Sequence, residues 1–136
     1  MIIKSFEYKK IDINKQKIYL LYGENQGHIN DFVDNIFKKK FIGNTYQYEE
    51  AEIISNEDII FNEIQNKSFF EKQKLIIVNR VSDKIKNFIE EINEKEIDDI
   101  NIILISSILE KKSKLRSLFE KDKKLTCIAF YKETEQ

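Results

Sequence analysis

A pair of glycines follows the first strongly apolar run of the sequence, where a phosphate-binding loop would be placed. Gly23 comes directly after the run Ile18–Tyr22, and Gly27 follows four residues later. Glycines between a buried strand and a helix let backbone N–H groups approach a phosphate closely. A loop that hydrolyses nucleotide also needs a lysine and a hydroxyl, in the order G-x-x-x-x-G-K-[ST]. Here the glycines are one residue too close, and His28 and Ile29 stand in place of the lysine and hydroxyl, so Gly23, Gly27 and His28 predict a degenerate phosphate loop.

Other arrangements that carry chemistry are missing from the sequence. Asn79-Arg80, rather than an acid, ends the apolar run 75–78 where magnesium would be oriented, and Asp83 is better used at the start of the next helix. His28 is the single histidine, and Ser106-Ser107 has no nearby base. An acidic stretch at 90–99 is typical of a solvated face. The sequence therefore predicts no catalytic residue, no metal site and no cofactor.

The segment 65–70 reads Gln-Asn-Lys-Ser-Phe-Phe and has a different character. Phe69 and Phe70 stand together at the end of a predicted helix, next to a charged run, where a core would rarely need both rings. An apolar pair preceded by a glutamine is typical of a short segment that enters a partner's pocket. The alternative interpretation, which the local pattern alone favours, is that both rings close one end of the core.

Short apolar runs and helical periodicities alternate along the chain and must position these segments. Strands are predicted at Ile18–Tyr22, Thr45–Tyr48 with an extension toward Ile54, Leu75–Val78, Ile102–Ile105 and Leu125–Phe130, with a further strand or hairpin arm in Met1–Ile13. Helices are predicted from the apolar spacing at 29–37, 60–64, 85–92 and 115–119. The alternation predicts an α/β fold with a doubly wound, mostly parallel sheet and helices on both faces. Strand order does not follow from one sequence.

Length and composition limit the class of protein. A chain of 136 residues suits a single domain with a real core. With 23 basic and 24 acidic side chains, the charge is nearly balanced and does not indicate generic attraction to nucleic acid. No apolar run approaches a membrane span, and the single cysteine, Cys127, indicates a reducing compartment, so we expect a cytoplasmic protein with no membrane partner.

Four segments in a fixed order carry a family resemblance. They are Ile-Tyr-Leu-Leu-Tyr-Gly-Glu-Asn at 18–25, Gln-Asn-Lys-Ser-Phe-Phe at 65–70 ahead of Lys-Leu-Ile-Ile-Val-Asn at 74–79, Ile-Ile-Leu-Ile-Ser-Ser at 102–107, and the basic segment 110–121. From about Ile18 to Tyr131 the chain resembles the N-terminal domain of the delta subunit of bacterial DNA polymerase III, a subunit of the clamp loader.

The resemblance implies an AAA+-like domain that has lost its ATP site and binds the sliding clamp, the beta subunit, to help open it. By position, Gln65 would be the glutamine of the clamp motif, Ser68 its small polar spacer, and Phe69 and Phe70 its hydrophobic plug. Phe69 replaces the usual aliphatic residue before the final Phe. The delta subunit also has lid and collar domains. Residues 1–136 are therefore expected to be the isolated first domain. The other clamp-loader subunits, gamma/tau and delta prime, would bind through the absent domains, and DNA only indirectly.

Three alternatives remain open at this point. The chain could be an active P-loop ATPase, despite its loop. It could be a delta prime subunit or another stator, although one cysteine cannot build that subunit's zinc site. It could also be a generic α/β interaction module, in which case Phe69 and Phe70 would be buried.

Overall fold

The computed structural model describes residues 1–41, 44–70, 74–97 and 99–131, and of residues 67–70 it describes the backbone only. The strands are β1 Ile18–Tyr22, β2 Thr45–Glu49, β3 Lys74–Asn79, β4 Ile100–Ile105 and β5 Leu125–Ala129. The α-helices are α1 Gln26–Phe32, α2 Glu50–Ser55, α3 Glu57–Phe70, α4 Lys86–Lys95 and α5 Lys114–Lys121. The predicted α/β alternation is confirmed.

The strands form one sheet in the order β2-β3-β4-β1-β5, and every pairing is parallel. Leu20 in the centre of β1 lies between Leu104 of β4 and Cys127 of β5. The chain leaves β1 for the far edge at β2 and returns strand by strand, so the direction of winding reverses beside β1. In sheets of this kind, ligands bind beyond the carboxyl ends of the strands at that reversal.

Each face of the sheet has its own hydrophobic core. Because side chains of a strand alternate between faces, Leu20 and Tyr22 point to one core, and Tyr19 and Leu21 point to the other. The first core is closed by α2 to α5, through Ile53, Ile60, Ile64, Ile85, Phe88, Ile89, Ile92, Leu115 and Phe119. The second is closed by α1 with its extension and by the N-terminal segment, through Ile3, Ile11, Ile29, Phe32, Val33, Phe37 and Phe41. Both faces are therefore covered, as predicted for uniformly apolar strands.

The helix that follows the glycine loop changes its winding. α1 continues as a π-helical turn at Val33–Phe37 and a 3-10 turn at Lys38–Lys40. The wider π turn brings residues five apart onto one side. Phe32 and Phe37 both reach the second core in this way, with ring centroids 5.7 Å apart, and Phe37 packs edge-on to Tyr19 at 4.7 Å.

Two predicted strand segments are wrong. In the predicted arm Met1–Ile13, Ile2 makes one bridge to Cys127, and residues 5–10 form a 3-10 helix in which Glu7 bonds both the Lys4 N–H and the Lys10 ammonium. β2 does not extend toward Ile54, because the Glu52 carboxylate accepts the Glu49 N–H at 3.0 Å and α2 starts at Glu50.

The N-terminal ammonium binds the carboxyl end of α5. It donates to the carbonyl oxygens of Phe119, Asp122 and Leu125 at 2.5, 3.1 and 2.7 Å. These carbonyls belong to the last turn of α5, the residue after it and the first residue of β5, and the dipole at the end of α5 favours a cation there.

Candidate functional site

The β1–α1 loop lies at the carboxyl edge of the sheet, and its path depends on Gly23. Gly23 has a φ of 135°, and a Cβ there would overlap the carbonyl oxygen of Phe130 just beyond β5. Gly27 lies in the first turn of α1, where an added Cβ would sit 3.9 Å from the Asn25 Oδ1 atom, an ordinary contact. The chain needs glycine at the first of these positions and not at the second.

Backbone N–H groups of this loop donate to acceptors within the protein. The Gly23 N–H bonds the Ser107 carbonyl at 3.0 Å, and the Asn25 N–H bonds the Phe130 carbonyl at 3.2 Å. The His28 N–H bonds the Asn25 Oδ1 atom at 3.1 Å, which caps α1. A phosphate loop works by directing such N–H groups at its ligand. These three are already paired with protein oxygens.

Gln26 links the loop to the neighbouring strand. Its side-chain amide donates to the carbonyl oxygens of Gly23 at 2.7 Å and Ser106 at 3.0 Å, which joins the ends of β1 and β4. The half-buried His28 ring packs edge-on to Phe130, with centroids 4.9 Å apart and planes at 85°. Sequence reasoning missed Gln26, because its partners are carbonyl groups that only the folded sheet brings near it.

The carboxyl end of β3 has no acid that could orient a metal. It carries Asn79 and Arg80, as expected, and Arg80 has a left-handed φ of 55°. The Arg80 side chain is 86% exposed, with its Nε atom 3.6 Å from a Glu49 carboxylate oxygen. Together with Gln26 and Ser106, these residues line a polar groove of about 520 Å³ where the nucleotide of an ATPase would lie.

Asp83 is the first residue of the 3-10 turn Asp83–Ile85 that leads into α4, as predicted, and its carboxylate has a second role. Its carboxylate accepts the Ser113 hydroxyl at 2.6 Å and the backbone N–H groups of Leu115 and Lys114 at 3.0 and 3.2 Å. These hydrogen bonds, above all the one from Ser113, lower the pKa of Asp83 below its usual value. Asp83 therefore also caps α5. The 3-10 turn that Asp83 begins is itself capped by Ser82, whose hydroxyl accepts the Lys84 N–H.

The predicted plug segment 65–70 belongs to α3. Ile60 and Ile64 of α3 are buried in the first core, and Phe61 packs edge-on to Phe88 at 6.3 Å. Gln65 is half-buried. The side chains of Ser68, Phe69 and Phe70 lie outside the described part of the chain, so their prediction stays a prediction.

The plug segment and the glycine loop lie at opposite edges of the sheet. α3 starts after β2 at the carboxyl edge and ends shortly before β3 begins at Lys74, whose N–H bonds the Asp99 carbonyl at the amino edge. The two predicted sites are therefore not brought together.

The basic segment before and within α5 divides into structural and solvent-facing residues. Arg116 pairs with Glu120 at 3.1 Å, donates to the Leu109 carbonyl at 2.8 Å, and lies 5.3 Å from the Tyr22 ring centroid. It thereby fixes α5 against the end of β1. Lysines surround a shallow depression nearby, namely Lys86, Lys111, Lys112, Lys114 and Lys121.

The described part of the chain has neither a cluster of metal ligands nor a membrane-spanning helix. Within residues 1–41, 44–70, 74–97 and 99–131, no three His, Cys, Asp or Glu side chains are grouped so that they could hold a metal ion. In these same ranges, no helix has the length and apolar character to cross a membrane. Burial raises the pKa of the Cys127 thiol to about 11, which makes it a poor nucleophile.

The comparison with known protein families agrees with the fold and with the resemblance in the sequence. The model of the family described as DNA polymerase III, delta subunit, matches residues 19–131, which is most of the chain. The comparison with individual curated proteins gave no match. The family match includes all of β1 but its first residue, the glycine loop, α3 and the remaining strands, and it assigns the chain to the replication clamp loader. The chain belongs to the DNA polymerase III delta subunit family.

Proposed function

We propose that this domain binds the sliding clamp through the last turns of α3, helps to open it for loading onto DNA, and hydrolyses no ATP itself. Gln65, Ser68, Phe69 and Phe70 would form the contact. The proposed partner is the beta clamp. Gamma/tau and delta prime subunits would supply the nucleotide-driven changes, and DNA would be reached indirectly.

The continuation of α3 through Phe70 is the observation that carries this proposal. Residues three or four positions apart lie on the same face of a helix. Positions 69 and 70 therefore share a face with Asn66, which is exposed, whereas the core face is marked by the buried Ile60 and Ile64. We therefore propose that the rings at positions 69 and 70 face the partner rather than the core.

The energetics of the proposed contact come mainly from the two rings. Each ring contributes on the order of 1.5 to 3 kcal/mol if it becomes fully buried in the clamp. Gln65 would hydrogen-bond at the rim of the pocket and set the register. To open the sliding clamp, the domain must in addition bind the opened or strained clamp interface more tightly than the closed one.

Support for the absence of ATP hydrolysis comes from the glycine loop. The N–H groups of Gly23, Asn25 and His28 are paired within the protein, and no lysine or hydroxyl follows Gly27. At the end of β3, Asn79 and Arg80 stand in place of an acid. Equilibrium binding of a fluorescent ATP analogue with magnesium tests this point. Tight, magnesium-dependent binding would favour the active ATPase instead.

The decisive test replaces both rings and measures binding to the sliding clamp encoded in the same genome. We expect Phe69→Ala/Phe70→Ala to weaken the Kd by roughly a hundredfold or more, since about 3 kcal/mol of burial is lost. Ile59→Ala is the matched control, because Ile59 is an apolar residue on the same helix that is 60% exposed. Surface plasmon resonance gives both affinities. A folded double variant with unchanged affinity would remove the plug assignment.

A further inference from the structure

Three carbonyl oxygens at the carboxyl end of α5 converge on a single cation, the α-ammonium of Met1. They belong to Phe119, Asp122 and Leu125, and we call them the amine site. An ammonium has three N–H groups, so each of them has one of these acceptors. The last carbonyls of a helix lack partners within the helix, and a cation complements both their hydrogen bonding and the helix dipole. The amine site therefore suits a free, protonated amino group.

The backbone of the first three residues holds the ammonium in the amine site. The Cys127 N–H donates to the Met1 carbonyl at 2.9 Å, and the Ile3 N–H donates to the Cys127 carbonyl at 3.0 Å. Ile2 thereby bridges Cys127 in parallel, on the side of β5 that faces away from β1. Ile3 is buried in the second core, and the half-buried Met1 packs against the same core. The amine site is therefore matched to an amino group on residue 1 rather than on residue 2.

A formyl group on Met1 is incompatible with the amine site. Bacterial ribosomes start chains with formylmethionine, whose nitrogen is a neutral amide with one N–H group. Such a nitrogen leaves two of the three carbonyls without a donor, and it also loses the charge that strengthens these hydrogen bonds. The formyl carbon, bonded to nitrogen at about 1.33 Å, would replace one hydrogen atom and overlap the oxygen that this hydrogen contacts. An acetyl group would remove the charge in the same way.

We propose that the α-amino group of Met1 is a processing site: its formyl group is removed by hydrolysis, Met1 is kept, and the freed ammonium binds the amine site. In the hydrolysis, water adds to the formyl carbon, the C–N bond breaks, formate leaves and the nitrogen takes up a proton. The catalyst is a deformylating hydrolase. This inference goes beyond the proposed function, and none of its tests involves the clamp.

The order of events follows from the separation of the partners along the chain. Phe119 and Leu125 come 118 and 124 residues after Met1. At about 5 to 20 residues per second, their synthesis follows that of Met1 by roughly 6 to 25 s. The amine site is incomplete during that time, so the formyl group is open to a hydrolase. Once the ammonium is bound, the three carbonyls shield it from acetyl transfer and from aminopeptidases.

The N-terminal peptide of the protein isolated from its own cells gives the first test. We expect mass spectrometry to find Met1 at its start with a free amino group. A formyl or acetyl group on Met1, or a first residue other than Met1, would overturn the proposal.

Thermal unfolding of the full chain in two N-terminal states tests the role of the free amine. The formylated form is obtained from cells in which deformylation is inhibited, and the free form from untreated cells. We expect the formylated form to unfold at a temperature lower by roughly 5 to 15 °C, because at least two charge-assisted hydrogen bonds are lost. Equal unfolding temperatures would count against the amine site.

A two-residue extension separates the position of the amino group from its charge. Gly-Ser placed before Met1 keeps a free ammonium but moves it out of the amine site, and the same extension after Gln136 is the matched control. We expect the first extension to lower the unfolding temperature about as much as the formyl group, and the second to leave it unchanged. An equal decrease for the two extensions would contradict a specific site.

Hydrogen exchange gives a local measurement that does not depend on a clear unfolding transition. The Cys127 amide is bonded to the Met1 carbonyl, whereas Leu104 lies in the centre of the sheet. In the formylated chain, we expect the Cys127 amide to exchange faster by roughly tenfold or more, and by a larger factor than the Leu104 amide. Unchanged exchange at Cys127 would show that the segment docks without a free amine, and the proposal would be wrong.

Discussion

The β1–α1 loop and the last turns of α3 are both segments that the sequence marks as binding sites, and they differ in how the rest of the protein contacts them. The loop is bonded to three distant places: Ser106, Ser107 and Phe130 accept its hydrogen bonds. α3 is anchored to the core by Ile60 and Ile64, and its backbone continues beyond them to Phe70. In the loop, groups that could bind a ligand have become part of the fold.

If the domain binds no nucleotide, as proposed, this difference shows how a nucleotide-binding architecture can persist without its ligand. Protein carbonyl groups occupy loop amides that a phosphate would need, so the loop now contributes to stability. Changes in the loop should then affect unfolding and leave clamp binding intact. Changes at positions 69 and 70 should weaken clamp binding and leave unfolding unchanged. The following measurements test whether the two regions differ in this way.

Among changes in the loop and in the last turns of α3, the largest loss in the free energy of unfolding is expected for Gly23→Ala. A side chain at a φ of 135° is strained and would overlap the Phe130 carbonyl, so we expect a loss of about 3 kcal/mol or more in the free energy of unfolding. Gly27→Ala is the matched control and should stabilise the protein by up to about 1 kcal/mol, because alanine favours the helix. Urea unfolding measures both. Similar losses for the two variants would contradict the different roles of the two glycines.

A smaller loss in the free energy of unfolding is expected for Gln26→Ala. Its side-chain amide makes two hydrogen bonds, to the carbonyl oxygens of Gly23 and Ser106, so the free energy of unfolding should fall by about 1 kcal/mol. Clamp affinity should not change. An altered Kd for the clamp with unchanged stability would place the β1–α1 loop in the binding surface. It would contradict the proposed difference between the loop and α3.

The smallest effect on stability is expected for the variant that should damage binding most. Phe69→Ala/Phe70→Ala should change the free energy of unfolding by less than about 0.5 kcal/mol if both rings face solvent. Phe119→Ala is the reference for a buried ring, and it should cost about 3 to 5 kcal/mol, since Phe119 is fully buried in the first core. A double variant as unstable as Phe119→Ala would favour the generic module with a buried aromatic pair.

Much of the fold could be predicted because each strand has a recognisable pattern of apolar residues within its own short segment of sequence. Ile18–Tyr22 and the run 102–105 are uniformly apolar, and that pattern alone indicates strands covered on both faces. The N-terminal segment could not be predicted in this way. Its path depends on an ammonium that reaches carbonyl groups near residue 120, and on a single bridge from Ile2 to Cys127. The π turn after α1 likewise depends on where the second core needs Phe37.

The glycine loop could be placed from the sequence, but the unequal demands on its glycines could not. Gly23 is required because Phe130, far away in the chain, passes close to it. The capping of α5 by Asp83 could not be predicted for the same reason, since its partners at Ser113 and Leu115 follow an intervening helix and strand. Tertiary hydrogen bonds of this kind leave no local pattern in a sequence.

The placement of the glycine loop and the end of α3 at opposite edges has a mechanical consequence. A parallel strand of five or six residues spans about 17 to 20 Å, and here five such strands are bonded side by side between two cores. We therefore expect the sheet to move as a rigid body. A neighbour that pushes on its carboxyl edge moves its amino edge by the same distance, without competing for the surface there. One domain can in this way transmit a force between two binding partners that do not contact each other.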